Sequence, residues 1–427
     1  MGFSRRDLLA GTASGSLLIG QKIDTEAFDD AWHQGVVERY FGFGDKASGG
    51  AGDTATGAWL EGELSRAGYT CGRQAFSVPW FDATDASLSV DGTGATILPH
   101  APVTPTGPDG LTAPLSLALG DRALDGSIAV IVLPSRRWSS SADPLIRAAL
   151  ADVWARGAVA AVLVTTGPTG DALALNAVAE QNRPPRPVAI LAPRDADPFL
   201  DAAAEGRPGR LVIAGRGGER PAFNLTARLA RGGGRTVVLS TPRSGWFGCA
   251  GERGSGIAVW LAAASWLARQ PGAFDIELVA TSGHEYENLG GAHYLEHVAP
   301  SPDRTRLWVH VGANLAARDW HELGPRLRPL PGADSQRYLL ASPDIFDAFR
   351  RAFAGLPGHE AVYPATVANA AGELTNILAA GYGSAAGFFG NHRFHHSRND
   401  DLRCVSGALV RPASEALRAA LVDILAM

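Results

Sequence analysis

The sequence predicts an α/β protein: a three-layer α/β/α sandwich with a mixed central sheet, carrying a smaller inserted α/β unit. Three observations point there. Short apolar runs of strand length alternate with helical patterns through the second half of the chain. Ligand-type side chains stand at the carboxyl ends of those runs, where open α/β sheets keep their chemistry. The 427 residues also suffice for a large core and more than one domain.

Composition narrows the function classes. Hydrophobic content of 46% and charged content of 19% are those of an ordinary globular protein. A formal net charge of -5 gives no basic footprint, so no nucleic-acid partner is expected. Cys71, Cys249 and Cys404 make no disulfide framework, and no pair has zinc-finger spacing. Of 11 histidines, all but His33 and His100 lie from His284 onward, which concentrates metal- or proton-handling capacity in the last third.

The elements follow in order. Ser4-Arg5-Arg6-Asp7-Leu8-Leu9 precedes a weakly apolar run to Ile19 and resembles a twin-arginine export signal over residues 1–23. That implies a periplasmic or secreted protein; the run is too short and too rich in Gly and Ser for a stable membrane span. Phe28, Trp32, Val36 and Tyr40 mark a helix face, with Asp24 as its cap. A second helix is expected over 54–67, before Gly68, then strands at 75–80 and 87–90. The character changes near residue 112. Strands at 124–133, 157–164 and 187–191 surround an Ala-rich helix at 144–156. This order resembles the protease-associated domain, which assigns 24–111 and 223–427 to the main domain and 112–222 to an insertion. From Asn224 the main pattern resumes, with strands at 236–240, 276–281, 307–311 and 385–389. Helices are expected at 254–269, 290–297, 343–354 and 406–425.

Four predicted strand-end loops carry the candidate chemistry. The first runs from Thr241 through Arg243, Trp246, Glu252 and Arg253 into a helix. Its glycines let backbone approach a ligand, and a helix N-terminus favours anionic groups. The second is Gly283-His284-Glu285, the third His310-Val-Gly-Ala-Asn314, and the fourth Phe394-His395-His396-Ser-Arg-Asn-Asp400.

In this order the loops resemble the exported zinc aminopeptidases of the phosphorylase/hydrolase-like fold, a family related to glutaminyl cyclases. Ala250-Gly-Glu-Arg-Gly-Ser-Gly256 matches the family's Ala-Asn-Asp-Asn-x-Ser-Gly, so the resemblance places Glu252 on a metal-ligand position. His284-Glu285 matches its Glu-Glu pair: Glu285 falls on a ligand and His284 on the general base. His310 falls near the third-strand Asp, as rival base or substrate contact. His396-Ser-Arg-Asn-Asp400 matches His-Thr-x-x-Asp, which makes His396 the last ligand, oriented by Ser397 and Asp400.

The family's first-zinc motif, His-x-Asp, is replaced here by Thr241-Pro242-Arg243. The resemblance therefore implies one zinc ion, held by Glu252, Glu285 and His396, with an open fourth position. Arg243 and Arg253 fall where the lost metal or a substrate terminus would be. Arg243, Arg253, Trp246 and Asn314 are the expected substrate contacts. His395 is expected to be a packing or surface residue. The implied activity is hydrolysis of an amide bond in a peptide or amino-acid derivative, with a small-molecule or peptide partner; oligomeric state stays open. The alternatives are a metal-free binding protein on the same scaffold and cyclase-type acyl transfer.

Overall fold

The computed structural model describes residues 28–426, apart from 178, 180–182 and 324–325. The twin-arginine segment and Asp24 lie outside the described residues. Helix α1 (Asp30–Gly42) is capped instead by Asp29, whose carboxylate accepts the Trp32 N–H at 2.8 Å. Helix α2 is Ala51–Arg66. The two strands expected between 75 and 90 are one, β1 (Thr70–Val90), because its whole length pairs with a later strand of similar length.

The chain continues through β2 (Thr93–Thr96), β3 (Leu98–Pro99), β4 (Gly107–Leu117), β5 (Ile128–Val132), α3 (Pro144–Ala155), β6 (Ala160–Val164), β7 (Val188–Leu191) and α4 (Asp197–Glu205). It returns along β8 (Pro208–Leu229), the antiparallel partner of β1. Strands β4, β5, β6 and β7 run parallel. Their side chains alternate between faces. Ile128, Val130 and Val162 pack with Phe199 and Ala202 of α4, whereas Ile131, Ala161 and Leu163 pack with Ile146 and Val153 of α3. Both faces are covered, which explains the unbroken apolar runs.

The remaining elements are β9 (Thr236–Pro242), α5 (Ser255–Arg269), β10 (Asp275–Thr281), α6 (Leu289–His297), β11 (Thr305–Val311), the hairpin β12 (Arg318–Leu323) and β13 (Arg326–Ala333), β14 (Arg337–Ala341), α7 (Phe346–Ala352), β15 (Val362–Pro364), α8 (Glu373–Ala379), β16 (Ala385–Gly390) and α9 (Gly407–Ala426). Spatial order is β15-β14-β16-β11-β9-β10-β8, and the sheet continues from β8 into β4. Strands β16, β11, β9 and β10 are parallel; β14 and β8 flank them antiparallel, so the sheet is mixed as expected.

Val237 and Leu239 face a core built with α1, α5 and α9, while Val238 faces Tyr294 of α6 and Leu374 of α8. These are the three layers. Each fully buried Leu or Val contributes about 1.5–3 kcal/mol relative to exposure. The Trp260 indole N–H, inside this core, donates to the Leu239 carbonyl at 3.0 Å. The four parallel strands deliver their carboxyl ends to one edge, where all four candidate loops meet.

Candidate active site

Two clusters of ionisable side chains face one cavity of about 480 Å³. The first is built on two loops. After β9 the chain passes Phe247 and Cys249, both at positive φ, and enters a wide turn over Ala250–Gly254 that leads into α5. Glu252 sits in that turn. After β16 a loop carries His395 and His396, the latter at φ 59°. Asp400 ties the loops together: its carboxylate accepts the N–H of Gly251 at 2.7 Å and of Glu252 at 3.0 Å. Left-handed non-glycine residues cost about 1–3 kcal/mol each and persist where surrounding structure enforces them.

The side chains converge. His396 Nε2 is 3.4 Å from Glu252 Oε1, and His395 Nδ1 is 3.7 Å from Glu252 Oε2. The imidazole rings stack with centroids 3.8 Å apart. His396 Nδ1 lies 2.8 Å from the Ala174 carbonyl, which can only accept, so the proton is on Nδ1. With its proton on Nδ1, His396 turns its Nε2 lone pair toward Glu252 Oε1, the oxygen that also faces the Arg253 guanidinium at 2.9 Å. Two lone pairs face each other unless a proton or a cation lies between them. A separation of 3.4 Å also matches the edge of a tetrahedron with bonds of about 2.0–2.2 Å. The donor set fits a divalent metal.

The second cluster contains a residue the sequence reading missed. Glu373 opens α8 and is buried. Its Oε1 accepts from the Thr281 hydroxyl at 2.6 Å and lies 3.5 Å from His284 Nδ1; its Oε2 is 3.8 Å from His310 Nδ1. Helix α6 passes close by: a Cβ on Gly291 would stand 2.9 Å from the Glu373 side chain. Ser240 Oγ accepts the Trp308 indole N–H at 2.8 Å, so its own proton can donate to His310 Nδ1 at 3.0 Å. That assignment leaves the His310 proton on Nε2. His284 and His310 both line the cavity.

Other expected site residues are placed differently. Glu285 does not join Glu252 and His396 as a third donor. Its carboxylate is engaged by the hydroxyls of Ser48 and Ser244, the latter at 3.2 Å, and the clustered donors are Glu252, His395 and His396. His395 is thus a buried member of the site. Ser397 and Asp400 do not orient the His396 ring; the Ala174 carbonyl does. Trp246 lies away from this cavity, with its indole N–H on Asn176 Oδ1 at 2.8 Å. The Asn314 amide donates to the Gly390 carbonyl and lies 3.4 Å from His395 Nδ1, which makes it a support for His395. Arg253 does line the cavity, 2.9 Å from Glu252 Oε1, and donates to the Ser244 carbonyl at 3.0 Å.

Arg243 is a structural clamp, not a cavity residue. It is fully buried, 2.9 Å from Asp53 Oδ1, and donates to the carbonyls of Ala280 at 2.6 Å and Phe223 at 2.7 Å. Removing one member of a buried pair leaves the other charge uncompensated. Arg243→Ala is expected to cost about 3–5 kcal/mol of stability in urea unfolding. A variant of wild-type stability with a raised KM would restore Arg243 to the substrate.

Burial pushes the Glu252 carboxyl up, but Arg253 first, then His395 and His396, outweigh it and hold it well below the usual range. Glu373 is likewise lowered: the nearby imidazoles of His284 and His310 and the Thr281 hydroxyl outweigh burial. Burial lowers His310 and His100 to about 4. Each histidine is then neutral when folded and protonates near 6.5 when unfolded. Below that value the unfolded chain binds more protons, so stability is complete above pH 6.5 and is lost as pH falls toward 4. The loss is at most about 3 kcal/mol per group. Urea midpoints measured from pH 7 to 4.5 should fall, and His100→Leu should flatten the slope; a flat wild-type profile would contradict both assignments.

No protein-family profile matches the sequence, and no curated protein matches it. Solved structures do. The zinc aminopeptidase BSAP of Bacillus subtilis superposes with a TM-score of 0.72 at 16% identity, over 93% of this chain and 95% of that one. An aminopeptidase of an Aneurinibacillus species gives 0.66 at 14%, over 93% and 94%. A peptidase precursor of Shewanella amazonensis gives 0.66 at 15%, over 91% and 92%. At these identities the likeness speaks for the fold, and the chain has the fold of these aminopeptidases.

Proposed function

We propose that the protein is a zinc-dependent hydrolase that cleaves an amide bond of a peptide or amino-acid derivative. One observation carries the reading: a Glu-His-His donor set and a carboxylate-backed histidine share a single cavity. The activity class is that named for the BSAP structure. Glu252, His395 and His396 would hold the ion; three protein donors are the catalytic form of zinc sites. Bound there, zinc polarises the scissile carbonyl and acidifies water.

The chain's own residues do the rest. Glu373 Oε1, 3.5 Å from His284 Nδ1, favours the tautomer with its proton on that nitrogen, which would leave Nε2 to take a proton from the attacking water and pass it to the departing amine. His310, neutral and protonated on Nε2, can donate a hydrogen bond to the substrate oxygen as charge develops there. The segment 112–222, read as the insertion, reaches this site: Ser139 Oγ lies 3.2 Å from His395 Nε2, and Ala174 holds His396. It thereby orients two of the three donors. The Arg5-Arg6 segment would direct the protein to export.

Arg253 favours a second reading, in which the site is metal-free and binds without hydrolysing. Its guanidinium already offsets the Glu252 charge. The deciding experiment assays purified protein on a panel of aminoacyl anilides and peptides. Activity that a chelator removes and zinc restores is expected. Unchanged ligand binding in chelator, with no turnover on any substrate, would establish the second reading.

A further inference from the structure

We propose that His392, Asp400 and Cys404 form a separate, buried metal site that pins the loop carrying His395 and His396. The three residues come from one stretch after β16. Their donor atoms, a ring nitrogen, a carboxylate oxygen and the thiol sulfur, all lie within 4.8 Å of one another. His392 and Asp400 are 1% exposed and Cys404 is 0% exposed.

His392 is the telling member. Among the described residues neither ring nitrogen has a hydrogen-bond partner, although the residue is buried. Leaving a buried polar atom unsatisfied is unfavourable. Its Nε2 lies 3.3 Å from Asp400 Oδ2, again the edge of a tetrahedron with bonds of about 2.0–2.2 Å. Asp400 already accepts two backbone N–H groups, so its orientation is fixed. Cys404 Sγ makes one weak contact, to the Asn399 carbonyl at 3.5 Å. Trp320 and Phe394 pack beside Cys404 and keep the surroundings apolar.

The chemistry balances. One thiolate and one carboxylate neutralise a divalent cation, with a neutral imidazole as third donor; the thiol proton leaves to solvent on binding. The mixed sulfur, nitrogen and oxygen set suits zinc and its spectroscopic surrogate cobalt. Because Asp400 also holds the amides of Gly251 and Glu252, an ion here links the loop of His395 and His396 to the turn of Glu252. The site rests on different donors from the proposed active centre.

The test uses the full chain, stripped and reloaded with cobalt alone. Wild type should show thiolate-to-cobalt charge-transfer absorption in the near ultraviolet. Cys404→Ser should abolish it, whereas Cys249→Ser and His396→Ala should keep it. Survival in His396→Ala separates this site from the active centre, whichever way the hydrolase reading falls. Should Cys404→Ser not fold, the zinc-loaded wild type answers instead: titration with a mercurial should release about one zinc per chain to an indicator. No band in wild type, a band that persists in Cys404→Ser or vanishes in Cys249→Ser, or no zinc released by the mercurial would overturn the proposal.

Discussion

His396→Ala is expected to empty the proposed catalytic metal position and to lower kcat/KM on the best substrate by about 10³-fold or more, a loss of several kcal/mol in transition-state stabilisation. The size follows from what the residue does. Its Nε2 faces Glu252 Oε1 at 3.4 Å, and its other nitrogen is held by Ala174 at 2.8 Å, so the ring is fixed in place to hold the ion. The informative companion is Glu285→Gln. The family resemblance makes Glu285 a ligand, whereas its carboxylate is engaged by Ser48 and Ser244. Inductively coupled plasma analysis of the two variants separates these assignments, provided the Cys404 site is counted apart by its cobalt band. Metal lost in His396→Ala and kept in Glu285→Gln supports the Glu252, His395, His396 set. Metal lost in Glu285→Gln alone would return Glu285 to the coordination sphere and displace His396.

The contrast between Glu285 and His395 shows what a sequence carries and what it does not. Strand ends were legible because β9, β10 and β11 are covered on both faces and read as short apolar runs. Loop positions followed from that. Side-chain direction did not: Arg243 stands one residue beyond β9, and the sequence has no means of saying that its guanidinium turns inward to Asp53. His395 and His396 are adjacent, yet a left-handed backbone at His396 lets their rings stack on the same side of Glu252. Glu373 was invisible for another reason. An acidic residue in the first turn of a short helix ordinarily complements the helix dipole in solvent. Here the preceding Gly372, at φ 52°, brings that turn against His284 and buries the carboxylate.

Glu373→Gln is expected to lower kcat by about 10²–10⁴-fold while leaving metal content and KM close to wild type. The amide keeps the shape, but it can present an N–H at the position of Oε1, the oxygen that faces both the Thr281 hydroxyl and His284 Nδ1. His284 would then be driven toward the tautomer whose proton sits on Nε2, the atom that has to accept. The same change removes the negative charge that stabilises a protonated His284 during turnover. His284→Gln removes the base itself, so the two single losses should be similar in size. The double variant should be scarcely worse than either, because the residues act as one unit. A structural role for Glu373 predicts a different pattern: lower stability, disturbed KM and losses that multiply in the double variant. Thr281→Val discriminates further. It takes one hydrogen bond from Glu373 Oε1 without touching the cavity, so a positioning role for the carboxylate predicts a smaller fall in kcat with unchanged metal. An unaltered kcat in both Glu373→Gln and His284→Gln would remove the pair from the mechanism.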